Sequence, residues 1–172
     1  MLTLFLIFLA TVAAMEVFAY AMHRWVMHGI GWFLHASHHR VRTGRFEWND
    51  LYAVIFAAPA ITLIYGGVQS DWGHWAAAVG AGITAYGAIY FGFHDVIVHQ
   101  RVAHRIVPRS TYFKRIVQAH RIHHAVETRE GTVSFGFIYA PPVEALKAAL
   151  AANGRAGIRE PKRAIVSNHI EA

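Results

Sequence analysis

Apolar and polar residues fall into blocks along this chain instead of alternating with a helical or strand period, the pattern of a polypeptide divided between bilayer and water. Met1 to Met22 is apolar apart from Thr3, Thr11 and Glu16, long enough for a helix to cross about 30 Å of hydrocarbon. Leu51 to Val68 and Trp75 to Phe93 carry no charged side chain, and the short stretch from Gly66 to His74 between them predicts a transmembrane hairpin. No Lys or Arg precedes Arg24, whereas a cleaved signal peptide opens with basic residues, so the first span is expected to stay in the membrane. The expected fold class is all-α: an integral membrane helical protein with about three transmembrane helices.

The apolar block from Val133 to Leu150 is cut by Pro141-Pro142 after about nine residues, too few to cross, and is expected to be re-entrant or interfacial. Glu144 to Ala152 predicts a short helix stopped at Asn153-Gly154, and the polar tail from Arg155 onward is expected to be loosely ordered. The domain reading is a membrane domain over residues 1–152 and a polar C-terminal tail over residues 153–172.

Charge orients these elements. Four of the sixteen Lys and Arg residues lie between Arg24 and Arg45, the other twelve between Arg101 and Arg163, and the hairpin turn holds none. The positive-inside rule then places both basic segments in the cytoplasm and the turn with Gln69, Ser70 and Asp71 outside. Trp48, Tyr52, Trp72 and Trp75 fall near span ends, where amphipathic rings settle at the interface. The formal charge of +6 follows from topology and attraction to anionic lipid. No nucleic-acid partner is expected, because that would call for a basic surface interleaved with stacking aromatics.

Of 172 residues, 55% are apolar and only 15% charged, more apolar than a soluble domain needs, and there is no cysteine. Disulfide scaffolds, thiolate metal sites and cysteine nucleophiles are thereby excluded. Histidine, at 13, outnumbers Asp plus Glu at 10. Ten of these histidines form four groups in a repeated order: His23 and His28 (HRWVMH), His35, His38 and His39 (HASHH), His94 and His99 (HDVIVH), and His120, His123 and His124 (HRIHH). HxxxxH followed by HxxHH thus occurs on each side of the hairpin.

On an α-helix His35 and His39 lie about 40° apart and His35 and His38 about 60° apart, while neighbours diverge by about 100°. An HxxHH run can therefore supply ligands to two metals side by side. The HxxxxH pairs, about 140° apart on a regular helix, need a helix end, a locally widened turn or one histidine per metal. Clustered neutral imidazoles without a metal would leave ring nitrogens short of partners. His74 and His169 read as ordinary polar residues, and His104 as a cap of the cytoplasmic surface or an extension of the second set. All-imidazole ligation suits Zn, Cu, Fe or Ni and disfavours Mg or Ca. Ten ligands exceed one ion's needs, and two ions with about five nitrogens each keep an open position on six-coordinate metal, as oxygen activation by paired iron requires. Asp95 and either Glu47 or Asp50 are candidate acceptors for ligand N–H groups.

The segments HRWVMHG (His23 to Gly29), HASHH (His35 to His39), HDVIVHQR (His94 to Arg101) and HRIHHAVETREGTVSFGFIYAPP (His120 to Pro142) resemble the fatty acid hydroxylase superfamily of membrane di-iron enzymes and, within it, the bacterial-type β-carotene hydroxylases. The resemblance spans residues 1 to about 150. It implies a cytoplasmic histidine-rich di-metal cap on the inner face of a bacterial cell membrane, two Fe ions, O2 as co-substrate and electrons from ferredoxin or a similar donor. The implied reaction is hydroxylation of the β-ionone rings of β-carotene at carbon 3, giving β-cryptoxanthin and zeaxanthin. The metal-ligand role carries over to His23, His28, His35, His38, His39, His94, His99, His120, His123 and His124. Phe91, Gly92, Phe93 and Phe135 are candidates to line the path of such a substrate. Hydroxylation or desaturation of an acyl chain or sterol uses the same core. A zinc-dependent hydrolase or transporter is a more distant alternative: a transporter would place ionisable ligands near the midplane, where only Glu16 lies.

Overall fold

A computed structural model describes residues 1–154 and 157–159, and among them it is helical, with a single isolated β-bridge. Three helical stretches are long and apolar enough to cross a membrane: Leu2–Ile30, Trp48–Gln69 and His74–Val98. The first is α1 (Leu2–Ala21) continued by a π-helical segment, Met22–Ile30. The second is α3 (Leu51–Gln69), entered through a 3₁₀ turn at Trp48–Asp50, and the third is α4 (His74–Tyr90) continued by another π-helical segment, Phe91–Val98. Between the first two lies α2, the single turn Trp32–His35. Their outward faces carry exposed Leu6, Leu9, Phe18, Ile55, Ile61 and Ile89, surface that lipid covers.

Small residues let the spans approach. A Cβ on Gly80 would come within 2.7 Å of the Ala60 carbonyl on α3, and one on Gly82 within 2.7 Å of Thr11 Cβ on α1. With little hydrophobic drive between helices in lipid, close backbone contact at such residues is what binds them. Helix α4 therefore sits between α3 and α1.

At the ends of α1 and α4 the remaining chain builds a cap. Ser110 accepts from the Phe113 amide at 3.2 Å and starts α5 (Thr111–His123), and α6 (Val143–Ala152) begins directly after the Pro141-Pro142 pair. Ile116, Ala119, Val133, Ala140 and Leu146 form the cap core, with Phe93, Ile122 and Leu150 packed against it. The apolar block from Val133 thus divides into an irregular stretch before the prolines and the expected short helix after them.

Two expectations meet a different arrangement. Tyr52 is not an interfacial anchor but buried, donating to the Gly31 carbonyl at 2.9 Å and so tying α3 to the turn before α2; Trp48, Trp72 and Trp75 are exposed. Within the polar tail, Ile158 pairs antiparallel with Val126, Arg159 N–H donates to the Ala125 carbonyl at 2.7 Å, and its guanidinium reaches the His39 carbonyl at 2.8 Å. The remainder of the tail expectation, at residues 155–156 and 160–172, lies outside the described residues.

Candidate metal centre

The π-helical segments resolve the awkward spacing of the HxxxxH pairs. An i→i+5 ladder brings residues five apart onto one face; it is present in the bond from His99 N to His94 O (2.9 Å), and in the first segment Gly31 N meets Val26 O (2.8 Å) across a kink at Gly29. His23 and His28 consequently turn the same way, with ring centroids 5.3 Å apart, as do His94 and His99 at 4.4 Å. The HASHH run is not one helix face: α2 ends at His35, and Ser37, whose hydroxyl donates to the Leu34 carbonyl at 2.9 Å and accepts from the Asn49 amide, turns the chain so that His38 and His39 lie beyond the helix. His120 and His123 occupy the last turn of α5, and His124 follows it.

All ten histidines converge into two sets of five. His23, His28, His35, His39 and His123 form one; His38, His94, His99, His120 and His124 form the other; within each set one nitrogen per ring lies within 4.8 Å of every other. The sets adjoin, with the rings of His39 and His124 stacked 4.5 Å apart. Each HxxxxH pair serves a single set, whereas each HxxHH run is shared between both.

Protonation shows what such a cluster can hold. In the first set every Nδ1 faces an oxygen that only accepts: Phe135 O for His23 (2.9 Å), Arg129 O for His28 (2.9 Å), Asn49 Oδ1 for His35 (2.7 Å), Val126 O for His39 (2.7 Å) and Val133 O for His123 (3.1 Å). Each of these nitrogens must therefore carry the proton, and a neutral imidazole has only one. The opposing Nε2 atoms are bare lone pairs, yet they face one another at 3.2 Å (His23 and His35), 3.3 Å (His28 and His123) and 3.2 Å (His39 and His123). Lone pairs so arranged repel and cannot be hydrogen-bonded to each other; a cation among them removes the conflict. His38 and His94, with Nε2 atoms 3.0 Å apart, repeat the pattern, since their Nδ1 atoms donate to Glu47 (2.8 Å) and Asp95 (3.2 Å). His124 Nε2 is buried without a partner. The residues present fit two metal ions.

Electrostatics agree. Burial, reinforced by neighbouring imidazoles, holds His35, His38, His120, His123 and His124 well below the ordinary imidazole range, and burial brings His39 down to about 4 and His99 to about 3. The rings are neutral at pH 7, as metal ligation demands.

Around the second set, Arg101 clamps the acceptors: its Nη1 donates to Asp95 (2.8 Å) and Asp50 (2.6 Å), and its Nη2 to Asp50 (2.7 Å). Of the three expected acidic acceptors, Asp95 and Glu47 meet histidines directly, while Asp50 holds Arg101 and the Glu47 amide (3.0 Å). His104 joins neither set; one ring nitrogen meets the Val96 carbonyl at 2.7 Å and the other accepts from the Ile106 amide. His74 is exposed at the start of α4, and His169 lies outside the described residues. Among the expected path residues, Phe91 is exposed, Phe93 packs on Phe113 in the cap, 6.0 Å between centroids, and the Phe135 ring meets His23, His28 and His123. A Cβ on Gly92 would meet nothing within 4 Å. Tyr90 and Asn49 also contact histidines and carry no sequence signal of their own, while Phe137, which joins them, lies within the segment His120 to Pro142 that carries the resemblance.

Three apolar spans capped by two adjoining all-histidine sets define a helical membrane protein with a candidate centre for two metal ions. Residues 8–141 match the family model described as fatty acid hydroxylase, and the chain belongs to the fatty acid hydroxylase family. It is 55% identical over 146 residues to a β-carotene hydroxylase of Pantoea ananas, covering 84% of this chain and 82% of that one. It is 51% identical over 159 residues to the β-carotene hydroxylase of Pseudescherichia vulneris (92% and 87%). A chloroplastic β-carotene 3-hydroxylase of Haematococcus lacustris is 37% identical over 131 residues (74% and 40%). No solved structure matches the chain.

Proposed function

We propose that this protein hydroxylates the β-ionone rings of β-carotene at carbon 3, producing β-cryptoxanthin and then zeaxanthin. The observation that carries the reading is the double set of bare imidazole nitrogens at the mouth of apolar spans, in a chain similar over most of its length to β-carotene hydroxylases. His23, His28, His35, His39 and His123 would hold one iron and His38, His94, His99, His120 and His124 the other. When bound, the iron pair supplies activation of O2 for insertion into an unactivated ring C–H bond.

The protein's own residues supply position and dryness. Backbone carbonyls, the Asn49 side-chain oxygen and the carboxylates of Glu47 and Asp95 fix the tautomers of seven of the ten rings and aim their Nε2 atoms inward. A groove of about 1010 Å³ runs between α1 and the stretch 129–141, lined by Val17, Tyr20, Trp25, Phe135, Tyr139 and Leu146, and reaches His28. It gives a long apolar molecule a sideways route from lipid to the first set. Ferredoxin or a similar reductant is the expected electron donor, attracted by a basic cytoplasmic face. The distribution of Lys and Arg supports placing the histidines on the cytoplasmic side, and similarity to the Pantoea and Pseudescherichia enzymes supports a bacterial inner membrane.

Expression in a β-carotene-accumulating host tests the reaction: zeaxanthin must appear, and only under oxygen. Product from an acyl chain or sterol with carotene untouched would reassign the substrate, and zinc-supported activity without oxygen would reassign the chemistry.

A further inference from the structure

One carboxylate in the first span belongs to neither histidine set. Glu16 lies seven residues before His23 on α1, about 10 Å deeper by helical rise, and Tyr86 lies eight residues before His94 on α4, about 12 Å deeper. The two side chains meet at that depth, Tyr86 donating its hydroxyl to Glu16 Oε2 at 2.7 Å. The other oxygen, Oε1, accepts three consecutive backbone N–H groups, from Phe137 (2.9 Å), Ile138 (2.8 Å) and Tyr139 (3.1 Å).

These three donors belong to the irregular stretch between Val133 and the proline pair, where no helix offers them partners. Backbone outside a helix is tolerated at membrane depth only when its polar groups are satisfied from within the protein. Glu16 satisfies three of them, and Tyr112 donates to the Ile138 carbonyl at 2.6 Å. Gly136 is part of the same device: a Cβ there would come within 3.1 Å of Glu16 Oε1 and 2.7 Å of the Tyr139 carbonyl. The stretch is therefore held at one end by Glu16 and at the other by His23, whose Nδ1–H donates to Phe135 O. Its side chains divide accordingly. Ile138 and Tyr139 face outward, while Phe137 is buried against His23 of one set (5.5 Å, stacked), His94 (5.5 Å) and His120 (5.8 Å) of the other, and Tyr90 (4.5 Å). One aromatic ring thus touches histidines of both sets, next in the chain to Gly136, which lines the groove.

We propose that Glu16 is a positioning residue: by clasping the Phe137–Tyr139 backbone it fixes the Phe137 ring as the wall against which the end ring of the substrate rests, and so selects the carbon that faces the metals. This rests on the carotene-hydroxylase reading. The test compares full-length wild type with Glu16→Ala, Glu16→Gln and Phe137→Ala, measuring hydrogen exchange of the 135–139 amides, metal content, kcat and KM with β-carotene, and the positions hydroxylated. Glu16→Ala should speed exchange at 137–139, keep the metal content, lower kcat by up to about 100-fold as misplacement near 1 Å does, and scatter hydroxylation beyond carbon 3. Glu16→Gln, whose amide oxygen still accepts, should restore both protection and product pattern. Phe137→Ala should keep the amides protected yet scatter the products. Unchanged exchange in Glu16→Ala would overturn the clasp. Carbon-3 product alone from Glu16→Ala or Phe137→Ala would overturn the positioning role, as would loss of metal in proportion to activity. A wild-type chain that hydroxylates no carotenoid would instead overturn the reaction, with the exchange data still judging the clasp.

Discussion

Replacing Glu47 by Gln and Asp95 by Asn removes charge from the outer edge of one histidine set and leaves the other alone. All five rings of the first set give their Nδ1 protons to neutral oxygens, whereas His38 and His94 give theirs to carboxylates. A carboxylate partner makes the opposite nitrogen a stronger donor to metal, and losing such a partner costs about 10–100-fold in metal affinity, or about 1.4–2.8 kcal/mol. The two positions differ in a readable way. Glu47 binds His38 at 2.8 Å with no arginine paired to it among the described residues, while Asp95 binds His94 at 3.2 Å and shares its charge with Arg101 at 2.8 Å. Glu47→Gln should therefore approach the 100-fold end and Asp95→Asn the tenfold end, with Arg101 still anchored by Asp50. Purified protein loaded with iron and titrated with a chelator reads this directly. Wild type should release its two equivalents unequally, and each variant should weaken one equivalent and spare the other. Equal weakening of both equivalents, or a larger effect from Asp95→Asn, would refute the reasoning.

His38→Ala or His123→Ala should abolish hydroxylation while the protein remains in the membrane fraction; wild-type product from either variant contradicts its assignment as a ligand. Gly82→Val should loosen α4 from α1, because its Cβ alone meets Thr11 at 2.7 Å, and a lowered thermal midpoint with unchanged membrane insertion checks it. Acid should unfold the metal-free protein. His39 titrates near 6.5 when unfolded and near 4 when folded, so its contribution is intact above pH 6.5 and falls by about 1.4 kcal/mol per pH unit between those values. Denaturation of the metal-free protein followed from pH 7 to pH 4 should show this loss, and a flat profile would contradict it.

Much of this molecule is legible in its sequence, and the part that is not has a physical reason. Block length suffices for the three spans because hydrocarbon thickness leaves a crossing helix little freedom. The unfavourable angle of the HxxxxH pairs already calls for a helix end, a widened turn or divided ligation, and the π-helical segments supply the second. The partition of His38 and His123 into the set opposite their neighbours is different, since it depends on where α2 stops and how α5 crosses it. Tyr52 departs from the interfacial expectation for a plain reason: composition places an aromatic near a membrane boundary, but only packing decides whether it faces lipid or the Gly31 carbonyl. Glu16 stands out as the lone acid deep in a span, yet its partners lie more than a hundred residues along the chain, at Phe137 to Tyr139.

The exchange of one ring between the two histidine sets carries a temporal consequence. A nascent chain that has just emerged past His39 owns four members of the first set, but the fifth, His123, arrives only after the hairpin and α5 have been synthesised. The second set waits for the same helix through His120 and His124. Neither set can be completed by half a protein: the segments of all three spans are synthesised before its last rings, and a chain truncated before α5 leaves both sets short.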